Sequence, residues 1–249
     1  MSQAVYQNIL LEVSEGIATI TLNRPDKLNA YTVAMGEDVV EAFDALKARD
    51  DVKVVILTGA GRAFCAGVDL EHLKEQFAAA ERGESLPGPK LGEERFIRQL
   101  PATLATYPKP VIVAINGHAI GVGITMTLPC DVRLAVEGAK IGLTFAKMGI
   151  LPGLGSTQLL QRIVGPAKAR ELMLTARVIL APEAAAMGLV NQVVPEGQLL
   201  EVARNMARHM AECNPKTLAA IRDCLHYGAT ASLEQSMKYE QETAARLRK

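Results

Sequence analysis

Between Ala114 and Ala135 the chain reads A-I-N-G-H-A-I-G-V-G-I-T-M-T-L-P-C-D-V-R-L-A, an order that predicts a buried strand, then a glycine-rich turn, then an apolar helix. Gly117, Gly121 and Gly123 admit main-chain conformations closed to other residues. They leave amide N–H groups bare at a helix N-terminus, where negative charge is favoured. No lysine follows the glycines, and their spacing is neither G-x-x-x-x-G-K nor G-x-G-x-x-G, which argues against a phosphate cradle of the P-loop or dinucleotide kind. An oxyanion is the guest this turn favours.

A second strand ends the same way. Lys53 to Thr58 is apolar and β-branched, and it runs into Gly59-Ala60-Gly61-Arg62-Ala63-Phe64-Cys65-Ala66-Gly67-Val68-Asp69-Leu70. Either turn alone reads as an ordinary strand-to-helix loop. Elsewhere, residues 8–13 and 17–22 alternate around Ser14-Glu15-Gly16 and predict a hairpin, and Met35, Val39, Phe43 and Leu46 recur at helical spacing. Strands near 53–58, 111–115 and 131–135, separated by helical stretches, predict crossover connections and an α/β core. The glycine-rich turns then fall at strand C-termini, where open α/β sheets place ligands. Pro87 and Pro89 interrupt the pattern between Gly83 and Gly92, which makes that stretch a candidate lid. From Pro166 onward the chain reads as successive helices, broken by Val190-Asn191-Gln192-Val193-Val194-Pro195 and by Pro215.

Composition narrows the function. Lys and Arg total 27 against 27 Asp and Glu, so nothing favours nucleic acid or an anionic membrane. There is no Trp among 249 residues, so the core must be aliphatic. No apolar run approaches the roughly 20 residues of a membrane span, and Met1-Ser2-Gln3-Ala4 lacks a basic-then-apolar signal pattern; a cytoplasmic location is expected. Cys65, Cys130, Cys213 and Cys224 show neither C-x-x-C nor Cys/His spacing, so buried thiols are expected and no metal site. Cys65 has no neighbouring His or basic residue to make it a nucleophile.

The paired patterns R-A-F-C-A-G-V-D-L and I-N-G-H-A-I-G-V-G-I-T-M-T-L-P-C-D resemble the crotonase (enoyl-CoA hydratase/isomerase) superfamily. I-T-L-N-R-P-D-K-L-N-A at 20–30, K-P-V-I-V-A-I-N-G at 109–117, G-I-L-P-G-L-G-S-T at 149–157 and G-L-V-N-Q-V-V-P at 188–195 extend the resemblance over nearly the whole chain. It implies a crotonase-like (ClpP/crotonase) spiral of ββα units. Residues 1–195 would form the core with an acyl-CoA site, and 196–249 a C-terminal helical region that packs a homotrimer or a dimer of trimers. It also implies a chemistry: an acyl-CoA thioester presents its carbonyl oxygen to two main-chain N–H groups while an enolate forms. Coenzyme A is then part of the substrate, and no cofactor is required. Matching residue by residue puts those N–H groups on Val68 and Val122, the latter where relatives often carry Gly. Lys27, Ala30, Ala66, Asp69 and Leu70 would lie along the coenzyme A moiety, with Glu71 standing where relatives often have a Lys and repelling the pyrophosphate. Relatives continue past residues 244–249 with a segment that closes over the adenine of a neighbouring site, so a more open adenine pocket is expected.

Hydration of an enoyl thioester needs two carboxylates, one to activate water and one to protonate the α-carbon. By the same matching, the two hydratase glutamates would fall at Thr125 and Phe145, and the acid of some isomerases and dehalogenases at Gly153, which also resembles the residue whose amide helps hold the water. None of the three is an acid. A proton carrier would have to come from elsewhere: Asp69, Glu71, His72, Glu75, Glu93 or Glu94 around the candidate lid, His118 beside Gly117, or Tyr227 and Tyr239 near the end. Each of these also reads as a solvated or packed residue. A double-bond isomerase or atypical lyase is favoured over an ordinary hydratase. The alternatives are other enolate chemistry (thioester hydrolysis, decarboxylation, C–C cleavage) and a non-catalytic acyl-CoA binder.

Overall fold

A computed structural model describes residues 6–84 and 89–248. The candidate lid is thereby divided: 83–84 and 89–92 are described, and 85–88 lie outside the described residues. In chain order the elements are β1 Ile9–Ser14, β2 Ile17–Leu22, α1 Val33–Lys47, β3 Val54–Gly59, β4 Ala63–Cys65, α2 Leu70–Glu81, α3 Arg95–Arg98, α4 Leu100–Ala105, β5 Val111–Ile115, β6 His118–Ile120 and α5 Val122–Thr125. They continue with β7 Val132–Val136, β8 Lys140–Gly142, α6 Ser156–Thr175, β9 Val178–Leu180, α7 Ala181–Ala186, β10 Gln192–Val194, α8 Leu199–Ala211, α9 Pro215–Gly228 and α10 Leu233–Leu247.

Two sheets result. The larger runs β1-β2-β3-β5-β7-β10, antiparallel only at the β1–β2 hairpin, and the smaller runs β4-β6-β8-β9 with its first three strands parallel. Each of β3, β5 and β7 sends the chain from the large sheet to a strand of the small one and then into helical structure, the expected ββα spiral. Burial explains the strand composition. β5 is buried at every position and β3 at all but the last, as strands covered on both faces must be, whereas the edge strand β1 alternates. The hairpin turns on Glu15 and Gly16, both at positive φ, as a two-residue turn requires. α1 opens with the Met35 amide donating to Thr32 Oγ1 and buries Met35, Val39, Phe43 and Leu46, the predicted stripe.

Three features depart from the sequence reading. The apolar helix after the second glycine-rich turn is a single turn, α5, followed by turns through Cys130. Pro129 brings no N–H to extend it, and the buried Arg133 guanidinium donates to the carbonyls of Thr127 and Cys130 instead. β9, paired with β8, interrupts the helices after 166, whereas β10, paired with β7, falls in the break expected at 190–195. The core also runs past residue 195: α8 lays Leu199, Ala203, Ala207 and Ala211 against β2, β3, β5 and β7. α9 and α10 pack on each other outside it, with Leu225, Leu233 and Met237 exposed. Among the described residues, no helix is long and apolar enough to cross a membrane.

Candidate active site

The two glycine-rich turns lie against each other because β4 and β6 pair in parallel, Ala63 opposite His118 and Cys65 opposite Ala119. A Cβ on Gly123 would strike the Cys65 carbonyl oxygen, so this approach requires glycine. Asn side chains brace the first turn: Asn29 Nδ2 donates to the carbonyls of Ala60 and Ala63 at 2.8 Å, and Asn116 Oδ1 accepts from the Gly59 amide at 3.1 Å. Cys65 sits fully inside this junction, and burial pushes its thiol up to about 12, which leaves a packed, protonated side chain.

Among the described residues, neither the Val68 nor the Val122 N–H meets a hydrogen-bond acceptor. The bridge between Tyr31 and Val68 uses the Tyr31 amide to Gly67 O at 2.7 Å and the Asp69 amide to Tyr31 O at 2.9 Å. Parallel pairing of this kind leaves the Val68 N–H on the opposite side, outside the ladder. Val122 opens α5, so its N–H has no intrahelical acceptor. Both residues line one cavity of about 390 Å³. Thr125, Phe145 and Gly153, the three positions matched to the family's acids, lie on the wall of the same cavity. The remaining wall is largely apolar, with Leu73, Leu91, Ile97, Ile150 and Leu154, and it also includes Tyr31, Gln76 and Lys90.

The stretches that hold the residues matched to coenzyme A, 27–31 and 66–71, are bonded to each other and contribute Tyr31 and Val68 to the cavity wall: the Ala66 amide donates to Leu28 O at 3.1 Å in addition to the Tyr31 bridge. Ala30 and Ala66 are half-buried, and Leu70 is exposed. Asp69 is buried, accepts from Arg24 at 3.0 Å, and accepts from the amides of Glu71 and His72 at the start of α2. Burial alone would raise its carboxyl; the guanidinium and the two amides outweigh it and hold Asp69 below the usual carboxylate range. Lys27 meets Glu71 at 2.9 Å on the surface, a bond that raises the lysine's pKa.

The other candidate proton carriers scatter. Glu71, Glu75 and Glu93 are exposed, and His72 and His118 are half-buried. Tyr227 and Tyr239 stack on each other at 4.1 Å in α9 and α10, with Tyr239 bonded to Asp223. Glu94 differs: it is 1% exposed and accepts from the Tyr31 hydroxyl and the Gly92 amide, each at 2.6 Å. Sequence reasoning passed over Tyr31, which stands 63 residues from Glu94 and carries no local signal of the pairing. No cluster among the described residues could hold a metal ion.

A sequence model described as enoyl-CoA hydratase/isomerase matches residues 12–248. The 1,2-epoxyphenylacetyl-CoA isomerase of Escherichia coli K12 is 36% identical over 94% of this chain and 87% of its own length. A probable peroxisomal enoyl-CoA hydratase of Arabidopsis thaliana is 37% identical over 98% of this chain and 88% of its own. Among solved structures, a putative enoyl-CoA hydratase from Streptomyces coelicolor superposes with a TM-score of 0.89 at 29% identity, covering 99% of this chain and 88% of that one.

Proposed function

Because this chain belongs to the enoyl-CoA hydratase/isomerase family, enzymes that act on acyl-CoA thioesters, we propose that it stabilises the enolate of an acyl-CoA and works as a double-bond isomerase or an atypical lyase rather than a hydratase. In this reading the thioester carbonyl accepts from the amides of Val68 and Val122. Negative charge builds on that oxygen as the α-proton passes to a carrier from outside the three matched positions, for which the carboxylates and His72 between residues 69 and 94 are the candidates, and the same carrier returns the proton when the double bond moves. Donors fixed in advance need no reorganisation, and losing one typically raises a barrier by about 2.7–4 kcal/mol. The apolar wall keeps water from the acyl group, which strengthens both bonds.

The observation that carries the reading is that Val68, Val122, Thr125, Phe145 and Gly153 share one cavity. Thr has no basic form near neutral pH, and Phe and Gly have no proton to exchange, so the two-carboxylate chemistry of hydration lacks its carriers there. Solvent deuterium is expected to enter the α-carbon of a 3-enoyl-CoA, while trans-2-enoyl-CoA keeps its enone absorbance. Rapid hydration would overturn the preference, and failure of any acyl-CoA to raise the melting temperature would overturn the substrate class.

Lys27 in this reading serves the coenzyme A phosphates, and Glu71 competes for it. Glu71→Gln is expected to tighten acyl-CoA binding about two- to fivefold at low salt, with the gain vanishing as salt screens the exposed lysine. Equal affinity of variant and parent by titration calorimetry at low salt would remove Lys27 from the site. Assembly as a homotrimer or a dimer of trimers belongs to the same proposal, supported by the exposed Leu225, Leu233 and Met237 on α9 and α10.

A further inference from the structure

Glu94 is a carboxylate withdrawn from water with both oxygens engaged. The Tyr31 hydroxyl donates to Oε1 and the Gly92 amide to Oε2, each at 2.6 Å. Tyr31 is 1% exposed, and burial first, then the bond to Glu94, raises its pKa and keeps the phenol protonated. Room for the hydroxyl is made by Gly36 in the first turn of α1, where a Cβ would strike the Tyr31 oxygen. The Tyr31 ring packs on Phe96 at 4.7 Å, so both residues of the pair are held from several sides.

What the pair connects gives it a role. At one end, Tyr31 is bonded through its main chain to Gly67 and Asp69, on either side of Val68. At the other, Glu94 closes on Gly92 and leads into Ile97, and Leu91, Gly92 and Ile97 face the cavity. Ile97 lies opposite Gly153, 3.7 Å from where a Cβ on that glycine would stand. A second tether keeps this wall on α1, where Arg95 meets Glu37 at 2.8 Å.

We infer that Tyr31 and Glu94 are a positioning pair that couples the acyl-facing wall at Leu91 and Ile97 to the turn presenting the Val68 amide, so that a long acyl chain seated on that wall improves alignment of the oxyanion donor. The inference rests on the proposed acyl-CoA reading and adds to it a preference for acyl chains long enough to reach Ile97. Binding energy from a remote part of the substrate is thereby converted into alignment at the reacting centre.

The test compares acetoacetyl-CoA with 3-oxodecanoyl-CoA, whose enolates absorb in the near ultraviolet when an oxyanion site stabilises them, and acetyl-CoA with decanoyl-CoA for affinity by calorimetry. In the parent protein the longer 3-oxo thioester is expected to give the larger enolate fraction. Tyr31→Phe keeps the ring and removes only the hydroxyl; Glu94→Gln keeps the shape but turns one acceptor into a donor. Each is expected to lower the enolate signal of 3-oxodecanoyl-CoA about tenfold, toward that of acetoacetyl-CoA, while decanoyl-CoA affinity changes less than about threefold. A parent that binds neither thioester would overturn the acyl-CoA reading and this inference together. A parent that binds both, with variants that keep its chain-length dependence or lose both signals equally, would overturn the coupling alone.

Discussion

Replacing Val122 with proline is expected to slow α-proton exchange about 10²–10³-fold, the loss of one oxyanion donor, in a protein that still folds. Proline removes the N–H and nothing else that the helix uses, because the first helical position has no intrahelical acceptor to lose. The residue before a proline is restricted to extended conformations. Gly121 has φ 55° and ψ −118°, the mirror image of an extended pair, which glycine alone adopts freely; the strain that would disfavour proline after another residue is therefore relieved. Val122→Ala is the control. It keeps the amide while deleting two buried methyl groups, so it is expected to lower stability by about 1–2 kcal/mol and exchange by less than about threefold. The check is deuterium incorporation alongside thermal melting. A Val122→Pro protein that melts as a folded domain and exchanges at the parental rate would remove this amide from the chemistry.

Local pattern makes the two glycine-rich turns legible in the sequence, while the assignment of Val68 and Val122 as donors comes from matching to the family. Strand β5 is five consecutive buried residues, α1 carries a clean stripe, and the glycine that follows each strand is a local signal. The three-residue strands β4, β6, β8 and β9 carry too little periodicity to be read. They form because their neighbours supply hydrogen bonds, as in the match of Cys65 with Ala119 and of Ile141 with Ile179. An apolar run looks the same in a helix as in a buried turn, so the sequence predicts a longer helix than the four residues of α5, and Pro129 is the local signal against it.

Side-chain partnerships were the least legible. Asp69 reads as a residue beside the ligand, yet its carboxylate is engaged by Arg24, 45 residues away, and by the start of α2. Glu71 reads as a repulsive charge, and its pairing with Lys27 across 44 residues carries no sequence signal. Glu93 and Glu94 are adjacent and look alike in sequence, but one is exposed and the other buried against Tyr31. Only the path of the chain distinguishes them.

Installing glutamate at 125 and 145 together is expected to create hydration of trans-2-enoyl-CoA at about 10²–10⁴-fold over the parental background, the usual contribution of positioned general acid–base groups. Both positions lie on the wall shared with Val68 and Val122, so a thioester held by those amides would have a carboxylate at each. Phe145 gives up volume that Thr125 gains, which limits overpacking. The apolar wall disfavours two negative charges at once, so the two titrations separate: one glutamate ionises near the ordinary carboxylate range and serves as base, while its neighbour stays protonated to a higher pH and serves as acid. Hydration should therefore rise as the first loses its proton and fall as the second does, a bell-shaped profile absent from either single variant. A folded double variant that binds the thioester yet hydrates nothing would mean that the carbonyl does not rest between Val68 and Val122, and the enolate proposal would fall with that placement.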